Sequence, residues 1–141
     1  MRTLRVKFLV GFLSLTTVAG AKSPFAGTWE GKTHDQPSVK LTIEDAGGKV
    51  SGVVVFYFQL RGNDGKWHVA SKQDAGGPML APQVEGKILT FEVTHHKSHG
   101  GSELGPNVKF RMELTGANEA RLHMVEDQPD AGPGLKLTRQ K

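Results

Sequence analysis

The chain has 141 residues, with 18 Lys+Arg against 14 Asp+Glu, and no cysteine. That length suits one domain with one core, and the lack of cysteine excludes a disulfide framework, a thiol nucleophile and lipidation at a cleavage-site cysteine. Three of the basic residues (Arg2, Arg5 and Lys7) and none of the acidic ones stand in the first 21 positions. The remainder therefore carries a net charge of only +1, and the high isoelectric point gives no ground for a nucleic-acid partner.

Residues 1–21 read as a secretory leader. The basic start is followed by an apolar run over residues 8–15, interrupted by Gly11 and Ser14, and Ala19-Gly20-Ala21 is a small-x-small cleavage site. The protein is expected to be exported to the periplasm or beyond, beginning at Lys22. The apolar run is short for a bilayer span and no second one approaches the ~20 residues a span needs, so no stable membrane insertion is expected once the leader is gone.

The rest of the chain, residues 22–141, is expected to form a single domain of short alternating runs. A first strand is predicted over residues 26–33, with a turn at Asp35-Gln36-Pro37. Residues 38–44 follow, with Val39, Leu41 and Ile43 on one face and Lys40, Thr42 and Glu44 on the other, the period-two pattern of a half-buried strand. Asp45-Ala46-Gly47-Gly48 is a turn of residues that tolerate positive φ. Residues 49–60 form the longest predicted strand, apolar on both faces between Val53 and Phe58, which requires cover on both sides. After the hairpin signal Gly62-Asn63-Asp64-Gly65 comes a strand over 66–72, then a Gly/Pro loop over 74–82.

Residues 83–84 and 88–95 are predicted strands around a tight turn at Glu85-Gly86-Lys87. A polar, Gly-rich loop over 97–107 precedes a strand over 108–115, where Val108, Phe110, Met112 and Leu114 alternate with Lys109, Arg111 and Glu113. Gly116-Ala117-Asn118 turns into a strand over 120–125, a loop occupies 126–134, and a final strand covers 135–140. Eight or nine strands joined mainly by short turns, with no crossover helix, predict an antiparallel meander. Its two edges are removed if it closes as an up-and-down barrel, which is the architecture expected here; two packed sheets would leave edges exposed.

Gly27-Thr28-Trp29 opens the first of these strands, and Arg139 lies on the last, on the face of Leu135 and Leu137. Gly-x-Trp at that place resembles the signature of the lipocalin and wider calycin barrels, and the chain is similar to small bacterial exported proteins of that type. The resemblance covers the order and length of the strands and these two residues; the family's further motifs, C-terminal helix and disulfide are missing. It implies a barrel whose tryptophan closes one end beneath a basic residue of the last strand, a structural latch formed by Trp29 and Arg139, with Lys136 and Lys141 as alternative partners.

Candidate chemistry is sparse. Phe56, Phe58, Phe91, Phe110 and Met112 are spread over three strands and could line one interior, either as the wall of a cavity for a small apolar or amphipathic molecule or as a filled core. Tyr57 is an alternative inward residue, because both faces of its strand are apolar. His95 would sit near the rim, to orient a ligand or simply to be hydrated. His95, His96 and His99 fall within five residues and include potential metal ligands, but adjacent His95 and His96 point to opposite faces of a strand. The serines lack a nucleophile elbow and the Gly-rich stretches lack the ending of a phosphate loop, so no catalytic residue and no cofactor are expected. The leading expectation is small-molecule binding in a barrel. The alternatives are a binding module that contacts a protein or cell-envelope partner through its loops, and a metal-binding protein using the three histidines.

Overall fold

The computed structural model describes residues 23–70, 75–94, 105–125 and 132–141; the leader assigned to residues 1–21 lies outside them. Eleven strands are described: β1 (Gly27–Thr33), β2 (Gln36–Ala46), β3 (Lys49–Phe56), β4 (Gln59–Arg61), β5 (Trp67–Val69), β6 (Ala75–Pro78), β7 (Leu80–Glu85), β8 (Ile88–Val93), β9 (Val108–Gly116), β10 (Glu119–Met124) and β11 (Leu135–Arg139). No helix occurs among the described residues. All pairings are antiparallel: β4 and β5 make a separate hairpin, and the other nine strands form one sheet in the order β6-β3-β2-β1-β11-β10-β9-β8-β7.

This order is a nearly closed barrel, the fold expected from the hairpins. The last strand pairs with the first, Trp29 opposite Arg139 and Gly31 opposite Leu137. The circuit comes round again through β6 and β7, which only Met79 separates. β6 pairs with β3, β7 pairs with β8, and the Met79 backbone N–H reaches Gly52 O at 2.8 Å. One bent segment thus crosses from one neighbour to the other, with Ala81 at φ 46 and a bulge between Leu80 and Gln83.

Several expected boundaries shift. Residues 74–82 were expected to be a loop, yet Ala75–Pro78 and Leu80–Glu85 are strands, because β3 and β8 offer ladders that even Gly-Gly-Pro can join. The strand expected over 49–60 ends at Phe56, and Gln59–Arg61 belongs to the separate hairpin. The first turn is His34-Asp35, both at positive φ (54° and 58°), with Pro37 absorbed at a bulge of β2 rather than in the turn.

The interior follows from alternation. Val39, Leu41 and Ile43 of β2, Leu89, Phe91 and Val93 of β8, and Phe110 and Met112 of β9 are all buried, together with Trp29, Val54, Met79, Ala120, Leu122 and Leu137. Gly31 is buried among them; a Cβ there would stand 2.8 Å from Leu135 Cδ2, so the strand can carry no side chain at that point. Residues on the outer face of β2 and β3, such as Thr42, Ser51 and Val53, are exposed.

Candidate functional site

The two ends of the barrel differ. At one end the connections are two-residue turns, between β2 and β3, between β7 and β8, and between β9 and β10. Residues 23–26 are strapped across this end. Trp29 Nε1–H donates to Phe25 O at 2.8 Å, Arg139 Nη2 donates to Pro24 O, and Ser23 N–H donates to Asp45 Oδ2 at 2.7 Å. Phe25 and Trp29 are both fully buried. The Arg139 guanidinium lies over the Trp29 ring, 4.6 Å from its centroid, within range of a cation–π contact. The Arg139 stem runs past Gly27, whose φ of +126° few other residues adopt. Gly27, Trp29 and Arg139 therefore form one packed unit that shuts this end.

The other end carries the longer connections. Besides the two-residue β1–β2 turn, β3, β8 and β10 end there and β6, β9 and β11 begin there. Towards this end the aromatic side chains meet. Phe91 and Phe110 are direct cross-strand partners with ring centroids 5.6 Å apart. Phe56, the last residue of β3, reaches across the interior to Phe110 at 5.3 Å. Phe91, Phe110 and Met112 are buried, whereas Phe56 at the end of its strand is only partly so. The rings are inclined by 20–30° in an offset stack, a geometry favourable for aromatic pairs. Phe58 lies beyond the end of β3, half-buried, its carbonyl accepting the Ala70 N–H; Tyr57 is likewise half-buried, its N–H bonded to Ser38 O.

His95, His96 and His99 lie outside the described residues, which end at Thr94 and resume at Gly105. Among the described residues no three His, Asp or Glu side chains are grouped to hold a metal ion.

The β4–β5 hairpin lies towards the end opposite the strap. Its turn is fastened by Asp64, which accepts the Lys66 N–H at 2.9 Å and pairs with His68 Nε2 at 3.1 Å. The Lys66 N–H and then His68 hold the Asp64 carboxyl below the usual carboxylate range. Leu60, on the same hairpin, is 65% exposed. On the outer wall Gln83, Val84, Glu85, Ile88 and Thr90 line an open groove of about 420 Å³, which brings together no more than one ionisable side chain, Glu85.

Sequence reasoning passed over Phe25 and Gln59. Phe25 sits upstream of the first alternating run, where period-two reading has nothing to weigh; its spacing of four from Trp29 is the one available hint. Gln59 lay inside what read as a continuous strand, and its amide is tied to the β1–β2 turn by contacts that sequence spacing does not reveal.

Compared with known protein families, curated proteins and solved structures, the chain finds no match. What stands is the architecture: a nearly closed antiparallel barrel, consistent with a calycin-like fold.

Proposed function

We propose that this is an exported, lipocalin-like binding protein that takes a small apolar or amphipathic molecule at the open end of its barrel. Phe56, Phe91, Phe110 and Met112 would form the floor and wall of the site, with Phe58 and His95 at its rim. The observation that carries this reading is the asymmetry of the barrel. One end is sealed by Phe25, Trp29 and Arg139, while towards the other lies an aromatic stack whose ring at the end of β3, Phe56, is only partly buried among the described residues. Aromatic faces backed by a rigid wall suit an apolar guest, because burying its surface needs no rearrangement of the barrel.

The test is ligand-dependent stability. A molecule that binds only the native state adds about 2.7 kcal/mol at a concentration one hundred times its Kd. Dodecanoic acid and 1-anilinonaphthalene-8-sulfonate are suitable probes: at least one should raise the Tm and be retained in native mass spectrometry, and Phe56→Ala should weaken it. A Tm unmoved by either probe, with no retained adduct, overturns the reading. Export has its own check. The species recovered outside the cytoplasm should have the mass of a chain starting at Lys22, and an unprocessed, cytoplasmic chain contradicts that part of the proposal.

A second reading, contact with a protein or envelope partner through the loops, is favoured by Leu60, a large apolar side chain left exposed on the hairpin at the same end. Leu60→Ser should abolish such contact and leave probe binding intact.

A further inference from the structure

The β4–β5 hairpin stands apart from the main sheet, and a lone two-stranded hairpin is marginal in water. What fixes it against the barrel is therefore decisive, and the fixing point is chemically specific. Gln59 Nε2 lies 2.9, 3.1 and 3.0 Å from the carbonyl oxygens of Thr33, Gln36 and Pro37, around the β1–β2 turn. Three acceptors around that atom fix the orientation of the amide, since its oxygen would be repelled there. The amide oxygen, Oε1, then faces His34 Nδ1 at 3.1 Å. An acceptor opposite Nδ1 requires a hydrogen on Nδ1, so neutral His34 is the Nδ1–H tautomer and its Nε2 lone pair is the site of protonation.

The His34 ring lies flat on Trp67 of β5, with centroids 4.2 Å apart and planes 9° from parallel. The two positive-φ residues of the tight turn, His34 and Asp35, aim it there. Because His34 is exposed, Nε2 can take a proton from solvent without breaking any bond to Gln59. The proton turns a ring stack into an imidazolium over an indole face, which adds a cation–π attraction.

We infer that His34, Trp67 and Gln59 form a pH-sensitive clasp that holds the β4–β5 hairpin against the β1–β2 turn at the open end of the barrel. The added attraction exists only while the ring is charged. Acidification therefore tightens the clasp and alkalinisation loosens it. The charged groups on the elements that meet here are mixed: Lys32 and Asp35 by the β1–β2 turn, and Arg61, Asp64, Lys66 and His68 on the hairpin, all exposed. Water and salt screen their opposing effects, so the ring contact sets the sign. The His68–Asp64 pair acts within the hairpin with the same sign, because a charged imidazole strengthens its bond to a carboxylate.

Native-state hydrogen exchange tests the clasp, in a His68→Gln background that removes the second imidazole. After correction for intrinsic rates, the hairpin amides of Gly62 and Ala70 should be about two- to five-fold better protected at pH 5.5 than at pH 7.5. The Leu114 amide, on the far wall, should show no such difference. His34→Phe keeps a ring on Trp67 without a charge, and should hold the hairpin docked with no dependence on pH. Equal protection at the two pH values with His34 present, or an undiminished pH difference in His34→Phe, overturns the inference.

Discussion

Phe25→Ala is the perturbation that most sharply separates a sealed barrel end from a loosely covered one. The Phe25 side chain is fully buried at the shut end, while its carbonyl accepts the Trp29 indole N–H. Truncation to alanine leaves that backbone hydrogen bond in place and removes only the ring, so the loss is a burial and cavity effect. A buried Phe→Ala change costs about 3–5 kcal/mol. Taking ~2.1 cal/mol/K of unfolding entropy per residue over about 120 residues, 1 kcal/mol corresponds to roughly 4 °C, so the Tm should fall by about 12–20 °C. Urea unfolding followed by tryptophan fluorescence should give a lower midpoint with an unchanged m value, since the strand framework stays the same. A loss below about 1 kcal/mol, the level typical of surface sites, would refute the claim that Phe25 seals the end.

Three further outcomes follow from the same geometry. Arg139→Ala should cost about 1–3 kcal/mol through loss of the contact over Trp29 and the bond to Pro24 O, and Arg139→Lys should recover part of it; equilibrium unfolding measures both. Gly52→Ala should destabilise by about 1–3 kcal/mol, because the new Cβ would stand 2.6 Å from the Thr42 carbonyl oxygen, a backbone atom that cannot swing away; the same unfolding assay applies. Asp64 has a folded pKa below its unfolded value, so its contribution to the hairpin is present above the unfolded pKa and fades as pH falls through the folded one. Carbon-detected NMR of the Asp64 carboxyl should report a midpoint below 3.8, and Asp64→Asn should remove that acid-dependent step.

The strands that were legible in the sequence are those with one wet face and one dry one. Val108, Phe110, Met112 and Leu114 alternate with charged or polar neighbours, and β9 forms where they stand. The pairing of the first strand with the last was expected from closure of the meander, and the meeting of Trp29 with Arg139 from the resemblance of Gly27-Thr28-Trp29 to the calycin signature. The strand around Ala75-Gly76-Gly77-Pro78 was hidden, because small residues carry no period and the segment is held by what its neighbours offer. The end of β3 was hidden for the opposite reason: residues 53–58 are apolar throughout, so no change of pattern marks where the ladder stops at Phe56. The candidate site was half legible. Phe56, Phe91 and Phe110 were each visible as apolar strand positions, but their mutual stacking depends on β3 facing β9 across the interior, a relation set by closure. The clasp of Gln59, His34 and Trp67 joins two turns far apart in the chain and leaves no local signature.

The most direct measurement of the central claim, that the barrel is shut at one end and receptive at the other, is NMR chemical-shift mapping of the protein titrated with dodecanoic acid. The account predicts saturable shifts in Phe56, Phe91, Phe110, Val93 and Val108 around the open end, with Phe25, Trp29 and Arg139 unmoved. Shifts centred on Phe25 and Trp29, or no saturable shift anywhere in the barrel, would contradict it.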